Sequence, residues 1–241
     1  MKNAILLAGG LGTRLQPFTK FVSKQLLPVN GKCIIDYPIE SLVGMGIKNL
    51  TIVVGSTFSG QVLDYIQDGS NFGVNVNYCY QQKPEGIAHA VNLCKRFVAD
   101  DDEFVVMLGD NIYAKPIEWM KDQGSQAQMV LVDHPELQRF GVASCGWSMN
   151  VLKIEEKPKI IDTNFDNYAI SGCYLFNQAY FNYFNNLTPS ARGEYEITDI
   201  LKQYLADGKL SYTIYDGLWA DAGTHDSIAL LNNHFYKNGT T

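Results

Sequence analysis

Ala4-Ile5-Leu6-Leu7-Ala8-Gly9-Gly10-Leu11-Gly12-Thr13-Arg14-Leu15 decides the fold: five apolar residues, then three glycines within four positions, then a cation. Five apolar residues closed by glycine have the length of a buried strand and are too short for a membrane span or a signal h-region. Glycines just past a strand let backbone N–H groups approach phosphate oxygens with no side chain between. Taken alone, the same residues serve a tight turn equally well, with Arg14 a solvated charge. Two competing fingerprints fail. A dinucleotide loop needs glycine where Leu15 stands, and a P-loop needs Gly-Lys followed by Ser or Thr, whereas Cys33 follows Gly31-Lys32 and Leu210 follows Gly208-Lys209. More distinctive is a second cation, Lys24, in Ser23-Lys24-Gln25-Leu26-Leu27-Pro28-Val29. Two cations beside a glycine loop suit a triphosphate.

Working outward, short apolar runs at Ala4–Ala8, Leu50–Val54, Val74–Tyr80 and Phe104–Leu108 alternate with helical patterns near Asp36–Met45, Gly60–Gln67 and Gly86–Phe97. That rhythm is βαβ, so the first half is an open, largely parallel α/β sheet. Ile87, Ala90, Val91, Cys94 and Phe97 recur at helical spacing and pack one stripe onto that sheet. Beyond Met120, strands follow strands: Ala127–Val132, Val142–Cys145, Val151–Ile154 and Ala169–Phe176, with helices near Tyr180–Asn185 and Ile197–Ala206 and a last one at about Asp226–Tyr236. This half reads as a mixed-strand extension of the same sheet. A single domain over residues 1–241 is expected, with halves at about 1–125 and 126–241.

The chain of 241 residues is 46% hydrophobic, enough for one large core. A net charge of -6 and a pI near 5.2 exclude a broad basic face for nucleic acid. Any polyanionic ligand must be held by local devices. Cys33, Cys79, Cys94, Cys145 and Cys173 are odd in number and never spaced CxxC, so neither a disulfide framework nor a zinc site is indicated. His89, His134, His225 and His234 lack metal-ligand spacing among themselves. With no membrane-spanning run, a cytoplasmic protein is expected.

With LAGGLGTRL and SKQLLPV both in view, the chain resembles the nucleoside-diphosphate-sugar pyrophosphorylases, and among them the bacterial glucose-1-phosphate thymidylyltransferases. Matching strings continue in the family's order at Leu108-Gly109-Asp110-Asn111, Glu155-Glu156-Lys157-Pro158, Gly193-Glu194-Tyr195-Glu196-Ile197-Thr198-Asp199 and Asp221-Ala222-Gly223-Thr224-His225. The resemblance spans nearly the whole chain. It implies a Rossmann-like sheet, Mg²⁺, a homo-oligomer, and the joining of dTTP to glucose 1-phosphate with release of pyrophosphate. The first half would bind the nucleotide and the second the sugar.

Residue by residue, the resemblance assigns Gly9, Gly10, Gly12, Thr13, Gln81, Gly86 and Asp110 to the nucleotide. Asp110 and Asp221 would hold the metal, Asp110 following an apolar strand whose C-terminal edge is where open α/β sheets bind ligands. Gln81 would read the base, since an amide both donates and accepts. Gly141, Glu156, Lys157, Gly172, Arg192 and Trp219 fall to the sugar phosphate. Arg14, Lys24 and Lys157 are the expected catalytic cations. No protein nucleophile is needed, because a phosphate oxygen is already anionic.

Thymine and uracil differ by one methyl, worth about 1–3 kcal/mol in an apolar pocket, so UTP is expected to react as well. Three departures from the family pattern stand out: His89 where many relatives carry glutamine, the lengthened segment Leu137-Gln138 before Arg139-Phe140-Gly141, and a short stretch after the His225 helix. Alternatives are a uridylyltransferase of the same mechanism, a sugar-nucleotide-binding subunit without catalysis, and a nicotinamide oxidoreductase, against which Leu15 counts.

Overall fold

The computed structural model describes residues 2–98, 103–120, 124–146 and 150–238. In chain order its elements are β1 (Asn3–Leu7), a short hairpin of β2 (Pro28–Val29) and β3 (Lys32–Cys33), α1 (Asp36–Gly44), β4 (Asn49–Val54), α2 (Ser59–Ile66), β5 (Asn75–Tyr80), α3 (Ile87–Leu93), β6 (Glu103–Leu108) and β7 (Asn111–Tyr113). There follow β8 (Ala127–Val132), β9 (Gly141–Cys145), β10 (Val151–Glu156), β11 (Asp166–Asn177), α4 (Ala179–Phe184), α5 (Ile197–Ala206), β12 (Leu210–Ile214), β13 (Trp219–Asp221) and α6 (His225–Lys237).

Nine strands form one sheet along the path β10-β9-β11-β6-β1-β4-β5, with β8 joined to β11 and β12 to β8. β1 pairs in parallel with β4 and β6, and β4 in parallel with β5. Past β6 the pairing turns mixed: β11 runs antiparallel to β6, β8 and β9, while β12 is parallel to β8. The parallel half and its mixed extension are those expected from the apolar runs.

Alternation along β1 sends Ile5 to one face of the sheet and Leu6 to the other. Ile5 joins a core with Val91, Phe104, Phe176, Tyr180, Ile200 and Tyr204 beneath α3, α4 and α5. Leu6 joins Ile39, Leu42, Ile52, Val62 and Ile66 beneath α1 and α2. A third, smaller core gathers Leu15, Ile34, Ile112, Leu231 and Phe235 under α6 and so pins the far end of the glycine loop. Each such side chain contributes roughly 1.5–3 kcal/mol when fully buried. α6 starts at a capping box in which Thr224 and Ser227 exchange side-chain and backbone hydrogen bonds.

Five strands go beyond the sequence expectation, among them the two-residue strands β2 and β3 of the hairpin. β7 and β13 have three residues each, too few to show a period, and exist because they pair with one another. β12 follows a glycine turn and closes the outer edge against β8. The helix expected over Gly86–Phe97 is shorter: Gly86 stays outside at φ 101°, α3 ends at Leu93, and a 3-10 turn covers Lys95–Phe97. No helix among the described residues is long and apolar enough to cross a membrane.

Strand order reverses about β1: the chain passes to β4 and β5 on one side and to β6 and β11 on the other. The C-terminal ends of β1 and β6 therefore flank a switch point, where such sheets bind ligands. The Gly109 N–H donates to the Leu7 carbonyl across it, at 2.9 Å.

Candidate active site

The loop leaving β1 can take its course only with glycine. Gly12 sits at φ 63°, and a Cβ there would lie 2.9 Å from both Lys24 Cβ and Thr19 Cγ2. Thr19 donates to the Gly12 carbonyl at 2.8 Å, and Thr13-Arg14-Leu15 forms a single 3-10 turn ending on buried Leu15. Lys24 is laid under Gly10 by this close approach and reaches Asp110, with which it forms an ion pair. Burial pushes the Asp110 carboxyl up, but the Lys24 charge and hydrogen bonds from Lys24 and Asn111 outweigh it and hold the group below the usual carboxylate range.

β7 and β13 bring the second carboxylate to the first. Their antiparallel register sets Asp221 opposite Asn111, and the Ala222 N–H donates to the Asp110 carbonyl at 2.7 Å. Asp221 is met by Arg14 at 3.4 Å and by Arg139 at 3.7 Å. Arg139 is also paired with Glu136, and its guanidinium lies over the Phe140 ring. Two hard-oxygen carboxylates, one just before β7 and one on its partner β13, are the kind of donor set that can hold a divalent cation such as magnesium with help from phosphate oxygens. Among the described residues no cluster of three or more His, Cys, Asp or Glu offers a rival site.

Asn111 is the hub that fixes this corner. Its side chain donates to Asp110 Oδ1 at 3.0 Å, while its own Oδ1 accepts from the Trp219 indole at 2.8 Å and the Gly172 N–H at 3.0 Å. Trp219 is accordingly buried in the wall, edge-on to Phe140 and His134. Gly172 is needed for packing, since a Cβ there would come within 2.5 Å of Leu108.

A cavity of about 230 Å³ opens at the switch point, lined by Gly9, Gly10, Lys24, Gln81, Gly86 and Asp110, with Leu7, Ile87 and Leu108 as apolar floor. Gln81 follows β5, its N–H bonded to the Val54 carbonyl at 2.9 Å, and its side chain is nearly buried. Gly86 takes a conformation that only glycine tolerates, and a Cβ there would meet the Tyr195 carbonyl oxygen at 2.5 Å. The Tyr195 N–H donates to the Glu85 carbonyl and the Ala88 N–H to that of Tyr195, at 2.8 and 3.1 Å, so the GEYEITD segment clamps the rim of the cavity.

At the end of β10, Glu156 accepts from Thr198 and from Arg192, both at 3.1 Å. Arg192 also forks onto Glu196, with two contacts of 2.8 Å, and lies 3.5 Å from Glu194, which lines the cavity. Burial, and then the nearby Glu196 charge, push the Glu156 carboxyl up against the pull of Lys157, Thr198 and Arg192. Lys157 takes φ 44°, a left-handed conformation that costs a non-glycine residue about 1–3 kcal/mol. Its N–H donates to the Phe140 carbonyl at 3.0 Å, and the half-exposed side chain is aimed beside Glu156, 3.7 Å away. At Gly141 a Cβ would strike Thr198 at 2.7 Å, so this glycine lets β9 and α5 close on one another.

The predicted residues thus fall into two groups. Gly9, Gly10, Lys24, Gln81, Gly86 and Asp110 share the cavity, while Gly12 packs on Lys24 and leads into the Thr13–Leu15 turn, from which Arg14 reaches Asp221. Glu156, Lys157 and Arg192 form a second, neighbouring cluster with Gly141 beside it, while Trp219 and Gly172 stand behind Asn111. Asn111 and Arg139 carry no signal in sequence beyond their place beside LGD and FG. Gln25, fully buried and lining the cavity with its Oε1 unbonded by protein atoms, shows only its place in SKQLLPV.

The sequence profile of the nucleotidyl transferase family matches residues 3–238. The chain is 37% identical over 235 residues to the low-salt glycan biosynthesis nucleotidyltransferase of Haloferax volcanii, covering 95% of this chain and 64% of that one. It is 36% identical to the glucose-1-phosphate thymidylyltransferase of Neisseria meningitidis, covering 93% and 79%. With the Streptomyces griseus glucose-1-phosphate thymidylyltransferase the identity is 38%, covering 95% and 64%. The chain therefore spans just under two thirds of the Haloferax and Streptomyces proteins. Among solved structures, a Bacillus anthracis chain assigned as a glucose-1-phosphate thymidylyltransferase, in complex with sucrose, superposes with a TM-score of 0.88 at 41% identity, over 97% of this chain and 94% of that one. A UDP-glucose pyrophosphorylase complexed with UDP-glucose shares the fold, with a TM-score of 0.82 at 21% identity over 99% of both chains.

Proposed function

This chain belongs to the nucleotidyl transferase family, and from that premise we propose that it transfers the nucleotidyl group of dTTP to glucose 1-phosphate, yielding dTDP-glucose and pyrophosphate. The observation that carries the reading is that the Lys24–Asp110 pair lines the same cavity as the glycine loop and Gln81. The names of the relatives support the same substrates.

Family members use a divalent metal, and in this chain Asp110 and Asp221 are the residues to hold it, as magnesium. When bound, that ion supplies charge neutralisation on the phosphates. The glycine loop binds the triphosphate through backbone N–H groups, and Lys24 and Arg14 turn from their carboxylates toward its oxygens. Lys157 and Arg192 aim the sugar phosphate, one of whose oxygens attacks the α-phosphorus as the bond to the bridging oxygen breaks and pyrophosphate departs. Lys157 is the freer of these two cations, because Arg192 starts among three carboxylates. Positioning and charge are the whole of the catalysis, because the attacking phosphate oxygen is already anionic.

Two further features belong to this reading. A homo-oligomer is expected, and the exposed Leu230 and Tyr236 of α6 offer apolar surface for it. The five free thiols support a cytoplasmic setting.

The test is magnesium-dependent pyrophosphate release from glucose 1-phosphate with dTTP, UTP, CTP and ATP in parallel, Asp110→Ala serving as control. Turnover with dTTP ahead of UTP, lost in the variant, is expected. CTP turnover equal to that of dTTP would sink the base assignment, and binding of dTDP-glucose without any turnover would favour a non-catalytic subunit.

A further inference from the structure

Gln81 can present either end of its amide to a base, and its neighbours decide which. Its Nε2 lies 3.3 Å from the Gly86 carbonyl oxygen. A carbonyl oxygen only accepts, so the nitrogen end of the amide must face it. The same Nε2 lies 3.2 Å from His89 Nδ1. An amide nitrogen only donates, so Nδ1 must be the lone-pair nitrogen and the ring proton must sit on Nε2, which points at the Glu85 carboxylate 3.5 Å away. Both amide hydrogens of Gln81 are then spent on Gly86 and His89, and Oε1 is the group left for a ligand.

His89 is held in that pose from both sides. Its ring stacks on Tyr195, with centroids 6.1 Å apart and planes at 28°, and lies 6.4 Å from the Phe184 ring. The backbone bonds between Tyr195 and residues 85 and 88 fix the start of α3, from which His89 projects.

We propose that His89 is a positioning residue for base choice: by accepting from Gln81 it turns the amide oxygen toward the cavity, so that the site takes bases with an N–H at N3. Thymine and uracil carry that imide hydrogen. Cytosine carries a lone pair there and meets another lone pair. The inference rests on Gln81 being the base reader, and it explains why histidine, with an accepting nitrogen on a rigid ring, serves at position 89.

The experiment compares dTTP with dCTP, which share the deoxyribose and triphosphate. Dissociation constants by calorimetry, and kcat and KM for each nucleotide and for glucose 1-phosphate with the other substrate saturating, are measured on the full chain for the parent, Gln81→Ala, His89→Leu and His89→Gln, with His89→Met replacing His89→Leu if the latter does not fold. His89→Leu is expected to shrink the dTTP-over-dCTP preference roughly threefold to tenfold, the loss of one hydrogen bond, by raising KM for dTTP while KM for glucose 1-phosphate stays put. His89→Gln, whose amide oxygen can accept, restores most of the preference. If Gln81→Ala erases the preference but His89→Leu and His89→Met keep it, the positioning role is wrong while base reading by Gln81 stands. If Gln81→Ala keeps the preference, or the parent has none, the base reading itself falls and the role of His89 with it.

Discussion

Replacing Lys24 by methionine keeps the length of the side chain and removes its charge, leaving the Asp110 carboxylate without its closest cation. The side chains of the pair are only 11% and 17% exposed. Removing one partner of a fully buried pair costs about 3–5 kcal/mol, and the remaining access to water lowers this to about 2–3 kcal/mol. For a chain of this size that is about 4–12 °C in Tm. The loss must depend on pH. Asp110 titrates below its ordinary value in the parent, so it adds stability that is present above that value and lost as pH falls through the folded one. Without Lys24, burial dominates and moves the carboxyl up, so in the variant Asp110 weakens the fold at neutral pH and is relieved by protonation in acid. The deficit of Lys24→Met should therefore be largest at pH 7 and should shrink by more than half at pH 4. Calorimetric melts of the parent, both single variants and Lys24→Met/Asp110→Asn at the two pH values measure it. The double variant should be more stable at pH 7 than Lys24→Met, because no charge is left stranded. A deficit that is equal at pH 4 and pH 7, or a double variant that simply sums the singles, would refute this account of the pair.

Gly86→Ala forces a Cβ against the Tyr195 backbone at φ 101°, costing about 1–3 kcal/mol of stability from the conformation alone. The displaced rim should lower kcat/KM for dTTP on the order of 10²-fold, and an unchanged value with unchanged Tm would contradict the placement of that turn. Trp219→Phe deletes the indole hydrogen bond to Asn111 and should cost about 0.5–1.5 kcal/mol by denaturant melt. It should leave KM for glucose 1-phosphate within twofold or so, as for a residue that supports the wall; a large rise in that KM would instead put the indole on the sugar. The Glu156 carboxyl is raised by burial and then by Glu196, so protonation favours the fold and that contribution is lost as pH rises through the folded value. Glu156→Gln should therefore gain stability relative to the parent between pH 4 and pH 7, and a relative loss over that range would mean that the Arg192 ion pair outweighs burial.

Much of this molecule is written locally. The apolar run before Gly9, the helical stripe through Ala90 and Val91, and the order of the motifs from Arg14 to Asp221 need only neighbours in the chain, because strand and helix periods and glycine conformations act over a few residues. What only the folded chain decides is how those motifs meet. β7 and β13 lie about a hundred residues apart and are too short to announce themselves, yet their pairing sets Asp221 beside Asp110 and makes Asn111 the hub between Trp219 and Gly172. Arg139 reads as an ordinary surface cation until the fold lays it by Asp221, and Arg192 reads as a free phosphate ligand until Glu156, Glu194 and Glu196 surround it. His89 is in the same case: a departure in a familiar string, it acquires a role only when Gly86 and Tyr195 fix which hydrogen of Gln81 it must accept. Propensity and pattern are short-ranged, whereas charge pairing and hydrogen-bond direction depend on which distant groups share a wall, and that is settled only when the sheet closes.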